Sequence, residues 1–482
     1  MVWSQQAKLV GTGAVGPFEP YGQGVSVSLS GDGNTAIVGG SADNGGAGAA
    51  WVFTRSGGVW SQQGPKPVGT GAVGNAQQGW SVSLSGDGNT AIVGGLLDNN
   101  SAGAAWVYTR LGGVWGQQGP KLVGTGAVLY TELGSSASLS GDGNTAIVGG
   151  FNDNGETGAA WVFTRSGGVW SEQGPKLVGT GAVGHAGQGV SVSLSSDGNT
   201  AIVGGTYDND RAGAAWVYTR SGGVWSQQGP KLVGTDAVGP FGAQQGYSVS
   251  LSGDGNTAIV GGPLDNTNAG ATWVFTRSGG VWSQQGTKLV GTGAVAPFGN
   301  GAEQGWSASL SGDGNTAIVG GLIDNDLAGA AWVYAKPAFA GTPGRANCFG
   351  QSVTALQGQF RGLNAAAAAL GFPSVRALQN AILAFCGRIA VRYLAHYAVS
   401  RVPMPGRIDH AEMRPDRMER RMGLIPASPN FAAFGSGSAS FARLRFKASS
   451  RLMTLGRAAI ARGVVASPFV FASTSSRGAS VG

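Results

Sequence analysis

The chain has 482 residues, including 89 Gly and 19 Pro, and only 11% of its side chains are charged. Its formal charge of +7 gathers at the end: from Gly387 onward 15 Lys or Arg stand against 4 Asp or Glu, leaving 16 against 20 before that point. A basic stripe for nucleic acid is therefore excluded from the first 386 residues, and there is no run of about 18 apolar residues to span a membrane.

Chain order is dominated by a repeat. The text SGDGNTAIVGG, or a one-residue variant, begins at Ser30, Ser85, Ser140, Ser195, Ser252 and Ser311, at spacings of 55, 55, 55, 57 and 59 residues. Each copy lies in a longer unit, SVSLS, TAIVGG, AAWVFTR, VWSQQGPKLV. Such a period marks copies of one supersecondary unit. Gly and Pro at this level suggest disorder when aperiodic; here the glycines fall at fixed turns, and Trp recurs with the same period. The repeat region folds. Met1 runs directly into repeat text, so no signal peptide is visible.

Each unit holds four short runs of β-branched and aromatic residues alternating with small or polar ones. In the second copy they are Trp80 to Ser85, Thr90 to Gly95, Ala104 to Arg110 and Val114 to Val123. Gly86-Asp87-Gly88-Asn89 and Gly112-Gly113 read as hairpin turns, because these residues tolerate positive φ. Four short antiparallel strands, repeated, make a propeller blade. The sixth copy stops after its third strand, while the chain opens with a fourth strand, Val2 to Gln6. The expectation is a six-bladed β-propeller of four-stranded antiparallel blades, closed by the N-terminal strand, which would remove an exposed edge. A seven-bladed ring is the alternative.

These residues, SVSLSGDGNTAIVGG, then DN, then GAAWVFTRSGGVWSQQ, resemble the bacterial FG-GAP repeat, related to the integrin α-chain propeller, from Met1 to about Tyr334. The resemblance implies an extracellular or cell-surface β-propeller used for binding or adhesion. Integrin-type repeats often carry a Ca²⁺ loop between the first two strands. Here that connection offers one carboxylate, whereas Ca²⁺ takes about six to eight oxygens, so no cofactor is expected and Ca²⁺ is the sole candidate.

GTGAVG at Gly11 to Gly16, Gly69 to Gly74 and Gly179 to Gly184 matches a dinucleotide fingerprint, but a strand follows where a helix is needed, so it reads as an inter-blade connection. Asp43, Asp98, Asp153, Asp208, Asp265 and Asp324, each followed by Asn, sit between second and third strands and read as Asx-turns or as a shared cation site. The hairpin aspartates read as turn formers, and His185, the repeat region's sole histidine, as a solvated loop side chain. Glu19, Glu132, Glu156, Glu172, Asp236 and Glu303 break the repeat but read as scattered over different loops.

Function in a symmetric scaffold is expected where the repeats differ. Pro-Phe occurs in three inter-blade connections, at Phe18, Phe241 and Phe298, which a closed ring would gather into one sector. Antiparallel parity places these loops and the Asp-Asn loops on one face. Clustered loop aromatics suit a protein or glycan contact; packing as wedges between blades is the other reading.

Four segments result: a propeller over 1–336, a linker over 337–346, a small helical module with Cys348 and Cys386 over 347–387, and a basic tail over 388–482. The two cysteines form a disulfide if the compartment is oxidising and stay reduced otherwise. The tail reads as disordered, as text past a natural stop or frameshift, or as an anionic-surface binder. The expectation for the whole is a non-catalytic binding or adhesion module for a protein or glycan, not an enzyme. A glycan-acting propeller hydrolase or lyase, or a structural surface repeat, are the alternatives.

Overall fold

The computed structural model describes residues 5–16, 22–128, 130–239, 242–295, 301–336, 347–360, 362–369 and 372–386. The repeats form a six-bladed β-propeller. Blade two shows the pattern: Ser81–Leu84 pairs antiparallel with Thr90–Gly95, that strand with Ala104–Leu111, and that in turn with Val114–Gln117. Strand order within each blade follows chain order. Beyond its fourth strand each chain segment stays attached to the blade: Leu122 bridges back to Ala105, with N–H and C=O bonds of 2.7 and 3.1 Å.

Small residues let the blades approach. A Cβ on Gly94 would stand 2.2 Å from the Gly134 carbonyl of the next blade, and one on Gly69 would stand 2.1 Å from the Trp106 ring. The freed space is filled by tryptophan. Trp106 is fully buried among Ile37, Ala50 and Val52 of blade one and Leu84, Val93 and Tyr108 of its own blade. Its indole N–H donates to the Thr70 carbonyl at 2.9 Å, which satisfies the one polar atom it buries. Burial of a side chain this size contributes roughly 2–3 kcal/mol, and the arrangement recurs at Trp161, Trp216 and Trp273.

The inner strands are stitched in series. Gly31 N–H donates to Gly86 O, Gly86 to Gly141, Gly141 to Ser196, Ser196 to Gly253 and Gly253 to Gly312, each at 2.8 Å. Outside, a second stitch joins neighbours: the Gln63 side-chain oxygen of blade one accepts from Arg110 at 3.2 Å and from Trp115 at 2.9 Å on blade two.

The sixth sheet contains three strands, Gln304–Leu310, Thr316–Gly321 and Ala330–Ala335. The closing strand expected at Val2 to Gln6 falls mostly on residues 1–4, outside the described residues. Residues 5–10 are described and rest on blade one: Leu9 packs into its core, and the Gln6 side-chain oxygen accepts from Arg55 at 2.8 Å and from Trp60 at 3.3 Å.

After the blades come helices Cys348–Phe360, Leu363–Ala369 and Val375–Cys386, gathered around Leu356, Ala366, Leu378 and Ile382. Cys348 and Cys386 are joined as a disulfide with Cα atoms 5.7 Å apart. Residues from 387 onward, where the tail was expected, lie outside the described residues.

Candidate functional site

The hairpin aspartates hold their own turns. Asp87 accepts from the Ser85 hydroxyl and, at 2.9 and 3.0 Å, from the N–H and side-chain amide of Asn89. Partial burial works against its charge, but these bonds outweigh it and the carboxyl sits below its ordinary value. These groups close turns.

The Asp-Asn aspartates are buried and also committed. Asp98 takes the Val73 N–H at 2.7 Å on one oxygen and the Lys121 ammonium on the other. Asp43 pairs likewise with Lys66, Asp153 with Lys176, Asp208 with Lys231 and Asp265 with Lys288. The bonded N–H lies in the inter-blade connection, 25 residues upstream for Asp98, rather than in the local turn. With one oxygen on an N–H and the other on a lysine, these carboxylates present no open edge to a cation. Asp324 accepts from Val295 N–H at 2.7 Å. Among the described residues no group of three or more His, Cys, Asp or Glu is placed to hold a metal.

Phe18, Phe241 and Phe298 all lie outside the described residues. His185 is exposed, its Nδ1 at 2.5 Å from the Gly155 carbonyl. Glu172 stands in place of the usual Gln and accepts from the N–H and hydroxyl of Thr125 at 2.7 and 2.8 Å.

The reading of Glu132 and Glu303 as scattered is corrected by register. Both stand two residues before a glycine on the connection that leads into the inner strand, against the second-to-third loop of the preceding blade. Blades two and five carry Gln77 and Gln244 there, and blade four carries Gly187. All five are left-handed, with φ of 54, 56, 61, 55 and 54° for Gln77, Glu132, Gly187, Gln244 and Glu303. A non-glycine residue in that region is strained by about 1–3 kcal/mol and persists where the surroundings over-determine it. Here they do: Glu132 N–H is pinned to Ser101 O at 2.8 Å and Glu303 N–H to Asn268 O at 2.8 Å.

Around these positions the repeat varies most. Burial pushes the Glu132 carboxyl up to about 7, against the opposing bond from the Asn152 amide at 3.3 Å. Burial raises Glu303 as well. Tyr207 is raised by burial and by the charge of Glu156, with Arg211 opposing and Glu132 adding. Burial lifts Tyr247 far above its ordinary value, and Glu303 and Tyr207 add to it. Tyr247 and Trp306 meet with ring centroids 4.7 Å apart, tilted 47°. The electrostatic influences thus link Glu132, Tyr207, Tyr247 and Glu303 in an arc from blade three to blade six, with Trp306 at its end. Two half-buried acids of raised pKa beside aromatic rings make this the candidate site.

No family model and no curated protein matches the sequence. Solved structures similar to the chain include a protein assigned as a 6-phosphogluconolactonase from Bacteroides uniformis, 13% identical, covering 64% of this chain and 80% of its own, with a TM-score of 0.41. Another is the periplasmic gluconolactonase of Pseudomonas aeruginosa, 17% identical, covering 66% and 85%, with a TM-score of 0.37. Both of these solved structures are described as lactonases, and to that extent they correct the expectation of a non-catalytic binding or adhesion module that is not an enzyme. Scores this low supply no residue correspondence.

Proposed function

We propose that the cluster around Glu132, Tyr207, Tyr247 and Glu303 is the active site of a hydrolase for carbohydrate-like substrates, with Glu132 as proton donor. The observation that supports it is a half-buried carboxyl, up to about 7 in pKa, fixed in a left-handed turn where blades two, four and five carry Gln or Gly. General acid–base catalysis is most effective when the group titrates near the working pH. With a glycoside, protonated Glu132 delivers its proton to the departing oxygen as that oxygen's bond to carbon breaks; water then bonds to the carbon, and its released proton returns to the Glu132 carboxylate. With a sugar lactone, water first adds to the carbonyl carbon, and Glu132 protonates the ring oxygen as its bond to that carbon breaks, the added water's spare proton returning to the carboxylate. Glu303 supplies a second carboxyl at the blade-six end of the arc. Half-buried Trp306, backed by the buried Tyr247 ring, offers an apolar surface, and the side-chain amide of half-buried Gln77 suits hydroxyl groups, the mixture that small polar-ligand sites use.

Assay of the full chain on a panel of aldonolactones and aryl glycosides tests this. Turnover of one class, lost in Glu132→Gln with the melting midpoint unchanged, is the expected result. Equal turnover by that variant, or none by the native chain on either class, would refute it. The Cys348–Cys386 bond supports placing the protein in an oxidising compartment outside the cytoplasm.

A further inference from the structure

Blade four departs from its neighbours at one pair of positions. Where Gln77, Glu132, Gln244 and Glu303 stand in blades two, three, five and six, blade four has Gly187. Where those blades have Leu97, Asn152, Leu264 and Ile323, it has Tyr207. The two exchanges are complementary. A Cβ on Gly187 would stand 2.8 Å from the Tyr207 ring, so the phenol lies in space that a side chain at Gly187 would claim. Its backbone is fixed on both sides: the Tyr207 N–H donates to Ala186 O at 3.1 Å, and the Tyr207 carbonyl accepts from Arg211 N–H at 3.2 Å. The half-buried side chain leaves its hydroxyl with no hydrogen-bond partner among the described residues.

That hydroxyl lies among the groups of the candidate site. Burial, then the charge of Glu156, holds its proton on, with Arg211 opposing and Glu132 adding, so at neutral pH it is a hydrogen-bond donor. Glu132 has no carboxylate acting on it in this way. Burial raises it and the Asn152 amide opposes, whereas the charge of Glu156 is felt at Tyr207 and that of Glu303 at Tyr247. The proton donor thus faces a phenol rather than a second acid.

The two reactions open to such a site need different partners for the acid. Glycoside cleavage uses two carboxyl groups roughly 5–10 Å apart astride one bond. Lactone hydrolysis needs a donor to the carbonyl oxygen, where negative charge gathers as water adds. Resting on the hydrolase reading of this site, we propose that Tyr207 is the donor to that carbonyl oxygen and that the substrate is a sugar lactone, not a glycoside. Water bonds to the carbonyl carbon while the C=O electron pair moves onto the oxygen held by the Tyr207 hydroxyl. The pair returns as the bond from that carbon to the ring oxygen breaks. The ring oxygen takes the Glu132 proton, and the resulting carboxylate recovers the spare proton of the added water. Tyr207 keeps its own proton throughout, and Gly187 makes room for its ring.

Tyr207→Phe keeps the ring against Gly187 and removes only the donor. Assayed in the full chain on aldonolactones, it should lower kcat about 100-fold, with KM and the melting midpoint little changed. Gly187→Gln occupies a left-handed position where Gln77 and Gln244 already stand. It should displace the Tyr207 ring and lower the same kcat, and Tyr207→Phe should add little on top of it. An undiminished kcat in Tyr207→Phe would overturn the proposal. So would turnover of aryl glycosides without lactones, an outcome that leaves the hydrolase reading standing. A chain inert on both classes removes the two together.

Discussion

Lys288 Nζ lies 2.6 Å from one oxygen of Asp265, and the other oxygen accepts the Val238 N–H at 2.8 Å. One buried carboxylate thus ties a fourth strand, a second-to-third loop and an inter-blade connection together. Removing a partner from such a group leaves an uncompensated charge or donor in low dielectric. Asp265→Ala should therefore destabilise the protein by about 3 kcal/mol, read from the urea midpoint at unchanged slope. A loss near zero would mean that the pair only decorates the loop.

Gly94 faces the Gly134 carbonyl so closely that a methyl group would stand 2.2 Å from it. The obstacle is backbone, which cannot swing aside like a side chain. Gly94→Ala must push blade three from blade two, disturbing a core that includes Trp106. Overpacking costs typically about 1–3 kcal/mol, and the expected sign is the opposite of the gain that Gly→Ala brings at a compatible site. A stabilised Gly94→Ala protein would contradict this packing.

Acid sensitivity should follow the hairpin aspartates. Asp87, Asp142, Asp197 and Asp254 are each lowered, with burial opposed and outweighed by bonds from the Ser two residues before and the Asn two after. A carboxyl whose folded value lies below its unfolded one of about 3.9 stabilises fully above that value, and the contribution fades as pH falls through the folded value. Acid unfolding followed by tryptophan emission should begin below about pH 4. Ser85→Ala removes one of the lowering bonds on Asp87, so it should move the transition to higher pH. An unmoved transition would show that other groups govern acid unfolding.

Much of the architecture could be read from the residues because its causes are local and repeated. Alternation in SVSLS and TAIVGG, turns at Gly86 to Asn89, and a tryptophan per blade each specify a strand, a hairpin or a core position within a few residues. The candidate site depends on register between distant copies. Glu132 and Glu303 are 171 positions apart and became one site only when both were seen two residues before Gly134 and Gly305. Aligning the six copies on that glycine would have exposed the shared column; reading carboxylates by loop hid it. Asp98 shows another limit. Its side chain was expected to bond nearby backbone, yet it reaches Val73 and Lys121 on either side in sequence, contacts that exist only after the blade has formed.

The last test separates a working acid at Glu132 from a merely buried one. Hydrolysis that needs its proton should fall as pH rises through about 7, where burial has placed the carboxyl. The Asn152 amide, 3.3 Å away, favours the charged form and opposes that rise. Asn152→Ala should therefore lift the carboxyl further and carry the alkaline limb of the rate profile to higher pH, leaving the plateau below it little changed. The linked effect on folding has a definite sign. A carboxyl raised in the folded state binds its proton more tightly there than in the unfolded chain, so its stabilising contribution is present below the unfolded value of about 4.3 and fades as pH rises towards 7. Glu132→Gln abolishes that dependence, and its stability should vary less between pH 5 and 7 than that of the native chain. An alkaline limb that stays in place in Asn152→Ala, or moves downward, would assign the proton donor to another residue of the cluster, with Glu303 the first to examine.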